Sequence, residues 1–227
     1  ENVTVVGGEP MSRKDVVQVF SEEMRNRMSV VTNGTFPLMP VNGSYYVSID
    51  GTEEVHNQIR GPRTHQRIKE NVKNYVATGG RVNINMTLNT LNCKTVMDVI
   101  HEWDEIADRI SIQFHTPFID NDPLWLPFGD ERNKILDNIL EYGMNENKHF
   151  VINPKEQLEL LRGNWGYKCP NWMIIALDYK GNIKAPCCMG SANEKASQPR
   201  CDKCGIAPYS SLLGGLFPNE KVLGIAA

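Results

Sequence analysis

Five of the chain's six cysteines stand between residues 169 and 204. They are Cys169, the adjacent pair Cys187 and Cys188, and Cys201 and Cys204 in a Cys-x-x-Cys spacing. A cage of thiolates needs ligands that converge from separate short elements; a Cys-x-x-Cys turn supplies two, and a hairpin supplies the others. The run Asp178-Tyr179-Lys180-Gly181-Asn182 reads as the tight turn of such a hairpin. Zinc and a [4Fe-4S] cluster both accept four cysteines, so spacing alone leaves the metal open. A disulfide framework fits poorly, because Cys93 lies far from the rest and neighbouring cysteines such as Cys187 and Cys188 are ill placed for one. Cys93 is expected to pack as a small apolar side chain on a helix.

A second group of residues recurs at the ends of short β-rich runs: Gly7-Gly8-Glu9-Pro10, Thr32-Asn33-Gly34, Ser48 with Asp50, Thr87 with Asn89, and Gln113 with His115. In parallel βα folds the carboxyl ends of strands carry the functional residues, because helices cover the sides while the end loops stay open. This rim suits a small molecule bearing both an ammonium and a carboxylate. Glu9 or strand-end carbonyls would accept from the ammonium, and Arg60 would grip the carboxylate with two parallel hydrogen bonds. The glycines let backbone approach a ligand closely. Taken singly these residues have plainer readings: Gly7-Gly8-Glu9-Pro10 as a strand-exit turn, Asp50 as a helix cap, Arg60 as a solvated side chain and His115 as a hydrogen-bonded rim residue.

The elements that must position these groups alternate. Strands are read at Val3 to Gly7 (as a buried strand), Val30 to Gly34, Tyr45 to Gly51, Arg81 to Leu88 and Ile110 to His115. In the fourth, Val82, Ile84, Met86 and Leu88 fall on one face and Asn83, Asn85 and Thr87 on the other. Helices are read from Ser12, as N-cap with Asp15 in the capping-box position, with Val16, Val17, Val19, Phe20 and Met24 as the apolar face. Others run from about Thr64 to Ala77, Cys93 to Ala107, Asp130 to Glu141, and after Asn153-Pro154 to Arg162. The fold class is therefore α/β, a partial (β/α)6 barrel lacking its first strand, followed by a small Cys-rich region. Boundaries fall at 1–118 for the partial barrel, 119–165 for a loop and connecting helices, and 166–227 for the Cys-rich region and tail. The proline-rich, aromatic stretch around Phe118, Trp125 and Phe128 reads either as a substrate entrance or as a hydrophobic plug.

At 227 residues the chain can bury a substantial core, and its composition is that of an ordinary globular protein. A net charge of -3 with scattered basic residues argues against a nucleic-acid partner. No apolar stretch is long enough to span a bilayer, and the expected location is cytoplasmic. The chain opens at Glu1 and enters a strand almost at once, which reads as an amino-terminal truncation.

In this order, Gly7-Gly8-Glu9-Pro10, Thr32-Asn33-Gly34, then Val47-Ser48-Ile49-Asp50-Gly51 followed by His56 and Ile59-Arg60-Gly61, the chain resembles the radical S-adenosylmethionine (SAM) superfamily. Its terminal cysteines, with Gly181-Asn182 and Pro186-Cys187 ahead of Cys201-x-x-Cys204, resemble the auxiliary-cluster extension of members of the SPASM or twitch type. The resemblance implies that Gly7, Gly8, Glu9 and Pro10 hold the amino group of the SAM methionine moiety. It implies that Ser48 and Arg60 contact the carboxylate or ribose, and that Asn89 and His115 lie near the ribose or adenine. Cys169, Cys187, Cys201 and Cys204 correspond to ligands of an auxiliary [4Fe-4S] cluster, with Cys188 able to replace Cys187. The chain departs from the family in one respect: it contains no Cys-x-x-x-Cys-x-x-Cys motif. The family's SAM-cleaving second [4Fe-4S] cluster is therefore expected on a missing amino-terminal segment, and this chain alone is expected not to generate the 5′-deoxyadenosyl radical. Implied with it are an electron donor such as ferredoxin or flavodoxin and an unidentified peptide, protein or lipid substrate. The alternative from a different class is a non-catalytic, zinc-stabilised α/β binding or scaffold protein.

Overall fold

Alternating apolar residues in five short runs build one sheet. The computed structural model describes residues 3–147, 149–163, 175–184 and 201–206. Its elements are β1 (Val3–Val5), α1 (Lys14–Met24), β2 (Met28–Thr32), β3 (Gly43–Ser48), α2 (Glu53–Arg60), α3 (Thr64–Val76), β4 (Val82–Leu88), α4 (Val96–Asp104), β5 (Arg109–Phe114), α5 (Asp130–Asn145) and α6 (Lys155–Leu160). The strands lie in chain order, β1-β2-β3-β4-β5. The first four pair in parallel, with Val5 opposite Val30, Val30 opposite Tyr45, and Val47 opposite Ile84. Ile110 of β5 forms a further parallel bridge to Val151, closed by Ile110 N to Phe150 O at 2.7 Å and Ile152 N to Ile110 O at 2.9 Å. Ordered, mostly parallel strands with helical crossovers are the βα arrangement that the alternation predicts.

Period-two alternation sends Val30, Tyr45, Val47, Ile84, Met86 and Ile112 into the core, all fully buried. α3 and α4 add Ile68, Val72, Val99, Ile100 and Trp103 from their apolar faces. Between β2 and β3 the crossover carries no helix; Asn42 fastens it to α1 by donating from its backbone to Ser21 Oγ at 2.7 Å and from its amide to Ser21 O at 3.2 Å.

By compactness the chain divides into two units, Glu1–Ile112 with Glu141–Ile152, and Gln113–Leu140 with Asn153–Ala227. Among the described residues no helix is long and apolar enough to cross a membrane.

Several local expectations need correction. β1 is half exposed, with Val6 beyond it 59% exposed, because it stands at the sheet's edge. Ser12 does not cap α1. Its hydroxyl donates to Glu9 O, while the Glu9 carboxylate caps the tight turn Pro10–Ser12 by accepting from Met11 N at 2.9 Å. Val19 is 59% exposed and stands off the buried face of α1, where Val17 and Ser21 sit. α4 begins at Val96 after a 3-10 turn over Cys93–Thr95, and Cys93 is buried there as expected. α5 runs one turn past Glu141, to Asn145. The turn over Asp178–Asn182 forms as read: Leu177 bridges Ile183 in antiparallel, Gly181 takes φ +82°, and Asp178 Oδ1 accepts from the backbone of Lys180 and Asn182.

Candidate functional site

In the first unit the exits of four adjacent strands carry the polar rim. After β1, Gly7 and Gly8 take φ +97° and +51°, left-handed conformations that glycine adopts without strain. Both are exposed, and a Cβ built on either meets nothing within 4 Å, so the backbone here borders open space. Glu9 turns the other way. Its Oε1 accepts from Met11 N at 2.9 Å and from Thr32 Oγ1 at 2.6 Å, and its Oε2 accepts from Asn33 N at 2.8 Å. A carboxylate holding three donors is committed to joining the exits of β1 and β2, which leaves backbone carbonyls as the acceptors for an ammonium. Pro10, buried, sets the turn that follows. Gly34 closes the β2 exit at φ +70°, where a Cβ would meet Val47 Cγ1 at 2.7 Å.

After β3, Ser48 lies opposite Asn85 and is half-buried. Asp50 is buried and receives Arg60 Nε on its Oδ2 at 2.5 Å. Arg60 is thus no loose surface charge; it is anchored through Nε, while its side chain stays 37% exposed. That geometry leaves the Nη pair to present a fork. Asp50 N donates to His56 Nδ1 at 3.1 Å, and Asp50 O accepts from Asn92 Nδ2 at 3.1 Å.

Asn92 was not legible as a site residue, yet it organises the β4 exit. It is fully buried, donates to Thr87 O at 2.9 Å as well as to Asp50 O, and accepts from Asn89 N at 2.8 Å. Asn89 Oδ1 accepts from Leu91 N at 2.8 Å, so its side chain first of all shapes this turn. Behind the rim lies a buried aromatic stack that spacing did not reveal. The rings of His56 and His65 meet edge to face at 5.4 Å, and those of His65 and Trp103 at 5.9 Å. Burial, and then the neighbouring His65, draw the His56 pKa down to about 4, so the ring is neutral at physiological pH.

The second unit holds His115 and the described part of the cysteine region. His115 Nε2 pairs with Asp122 Oδ2 at 2.9 Å, and this hydrogen bond is the main reason the Asp122 carboxyl titrates below its ordinary range. Asp122 Oδ1 in turn accepts from Leu124 N at 2.9 Å, so the pair pins the aromatic loop. Cys169, Cys187 and Cys188 lie outside the described residues. Cys201 opens a 3-10 turn, and Cys204 is half-buried just after it. Among the described residues there is no group of three or more metal-ligating side chains.

The Cys204 segment is fixed from both sides. Phe114 N donates to Gly205 O at 2.9 Å, Gly205 N donates to Thr116 Oγ1 at 2.9 Å, and Gln157 Nε2 donates to Ile206 O at 2.9 Å. A Cβ on Gly205 would stand 1.9 Å from Phe114 O, so only glycine permits this approach. Two cations lie over rings of the aromatic loop and its neighbour Phe114. Arg132 of α5, fully buried, lies 3.8 Å over the Phe114 ring and 4.8 Å over the Phe128 ring, and Lys203 lies 4.1 Å over Trp125. Of the Arg132 nitrogens, Nη1 donates to Leu126 O at 3.2 Å, while Nε and Nη2 have no partner among the described residues, and neither does Trp125 Nε1. Burial lowers the Arg132 pKa to about 10, opposed by the charge of Cys204.

No protein-family model and no curated protein matches the chain. Solved structures do. Streptococcus suis SuiB bound to S-adenosylmethionine superposes with a TM-score of 0.57 at 14% identity, over 80% of this chain and 44% of SuiB. SuiB bound to its precursor peptide SuiA gives 0.56 at 14% identity, over 75% of this chain and 43% of that one. Native anSMEcpe with bound AdoMet gives 0.58 at 17% identity, over 86% of this chain and 63% of that one. The chain thus spans less than half the length of SuiB and under two thirds of anSMEcpe. SuiB and anSMEcpe are radical SAM enzymes, and the chain shares their α/β fold, built here on a five-stranded parallel sheet.

Proposed function

We propose that this chain is part of a radical SAM enzyme. It holds the methionine moiety of SAM at the strand exits of the first unit, and it binds an auxiliary [4Fe-4S] cluster through Cys169, Cys187 or Cys188, Cys201 and Cys204. The observation that carries the reading is the open glycine cradle at Gly7-Gly8 on the same rim as the anchored fork of Arg60. Backbone carbonyls of the cradle accept from the ammonium, Arg60 Nη1 and Nη2 donate to the carboxylate, and Ser48 donates alongside. Asn89 lines the nucleoside side. When bound next to a reduced cluster, SAM supplies radical chemistry at carbon, and the barrel excludes water from it. The 227 residues include no Cys-x-x-x-Cys-x-x-Cys motif, so the chain alone binds SAM without cleaving it.

A peptide or protein segment is the substrate class best supported, since SuiB was solved with a precursor peptide and anSMEcpe with the Kp18Cys peptide. The electron donor would be a small carrier such as ferredoxin or flavodoxin, in a reducing cytoplasm.

The test is anaerobic reconstitution with iron and sulfide followed by equilibrium dialysis with SAM. A brown protein with broad absorption near ~400 nm and saturable SAM uptake is expected. Arg60→Met should weaken SAM binding about tenfold or more, the equivalent of losing a charged hydrogen bond worth roughly 1.5–3 kcal/mol. A colourless chain holding stoichiometric zinc and no SAM would overturn the reading in favour of a scaffold protein.

A further inference from the structure

α5 buries an arginine where its helical period calls for an apolar residue. Arg132 stands three, four and seven positions before Ile135, Leu136 and Ile139, which are themselves buried. A buried guanidinium without acceptors is costly, and stacking on Phe114 and Phe128 offsets only part of that cost. Nε and Nη2 still lack partners among the described residues. The backbone shows what lies next to them. Phe114, whose ring lies under the guanidinium, donates its N–H to the carbonyl of Gly205, the residue after Cys204. A fixed positive charge with unused donors has therefore been built against the Cys-x-x-Cys turn. A cluster ligated by thiolates offers what that charge lacks: negative charge and sulfur acceptors in a dry site.

We propose that Arg132 is the buried counter-charge and hydrogen-bond donor to the sulfur atoms of the auxiliary cluster, and that it raises the cluster's reduction potential. The inference rests on the iron–sulfur reading of Cys204 above. Donors to cluster sulfur and nearby positive charge stabilise the more negative, reduced state. Removing them shifts the couple downward.

The experiment uses the full chain, reconstituted anaerobically, with the midpoint potential read by spectroscopic redox titration. Arg132→Gln removes the charge and keeps amide donors; Arg132→Lys keeps the charge and removes the planar fork. At the parent's midpoint potential, the reduced-to-oxidised ratio should fall about tenfold in the Gln variant, about 59 mV for a one-electron couple, and less in the Lys variant. Circular dichroism melts confirm that each variant folds. If the Gln variant does not fold, the Lys variant decides by the same reading: a measurable downward shift supports the role, and an unchanged potential overturns it. A folded Gln chain that takes up no iron while the Lys chain does also supports it, because charge is then needed to hold the cluster at all. Reduced-to-oxidised ratios within twofold of the parent at its midpoint potential, in both variants, overturn the assignment and leave the iron–sulfur reading standing. A parent chain that takes up no iron overturns both.

Discussion

A single imidazole sets a measurable pH dependence. His56 is fully buried with Nδ1 taken by Asp50 N, and it faces His65, Asp50, Arg60 and Glu102. Its folded pKa, about 4, lies below the ordinary imidazole value of 6.5. A depressed folded pKa means that the unfolded chain takes up the proton first. The contribution of a neutral His56 is therefore whole above pH 6.5, falls as pH drops from 6.5 toward 4, and is flat below. The full window is worth on the order of 3 kcal/mol. Urea unfolding between pH 7 and 4.5 should show this slope in the parent and a shallower one in His56→Gln; equal slopes would assign the acid sensitivity elsewhere. None of this was legible in the sequence, because a histidine in a polar helical segment looks solvated until the packing of α3 against α2 brings His65 over it. Arg60 stood out through its motif, but its anchor on Asp50 did not. Arg132 left a trace, an apolar position filled by a charge, that the helical period alone could have flagged.

At the scale of elements, alternation and turn chemistry carried most of the reading. β4 appears almost as its period-two pattern says, with its apolar set fully buried. The hairpin turn at Asp178–Asn182 follows from side-chain acceptors that local sequence displays. What stayed hidden are the contacts between elements distant in sequence. Glu9 capping a turn while reaching β2 is one, and Gly205 pressed on the Phe114 carbonyl is another. The second yields a prediction. Gly205→Ala places a methyl against backbone that cannot swing aside, so the segment bearing Cys204 must lift. A loss of about 1–3 kcal/mol in stability is expected, typical of overpacking, together with at least a several-fold drop in iron uptake, measured by metal analysis after reconstitution. Gly143→Ala should leave iron uptake within twofold, since Gly143 lies in α5 with no positive φ and its added Cβ meets nothing within 4 Å.

Across the whole molecule the two cofactor readings fall in different compact units, the SAM rim in the first and Cys204 in the second. Ligand footprints should separate accordingly. Hydrogen exchange should slow at Gly7, Gly8 and neighbouring amides when SAM is added, and at Phe114 and Gly205 when iron and sulfide are reconstituted. Protection of Gly205 by SAM alone, or of Gly7 and Gly8 by iron alone, would contradict these two readings. The fold class was legible because βα alternation is written in local patterning, and the superposition on SuiB covers 80% of the chain. The division into two interleaved units was not, because residues 141–152 return to the first unit through pairing at Ile110 that no local signal announces.

The three donors gathered by Glu9 bear on how a ligand arrives. With Met11, Thr32 and Asn33 locked to one carboxylate, the loop after β1 has little conformational freedom left to surrender on association. On the proposed reading, capture of SAM at that rim is governed by encounter and desolvation rather than by a gating rearrangement, and a carboxylate whose three donors all come from the protein helps set how cheaply it is held.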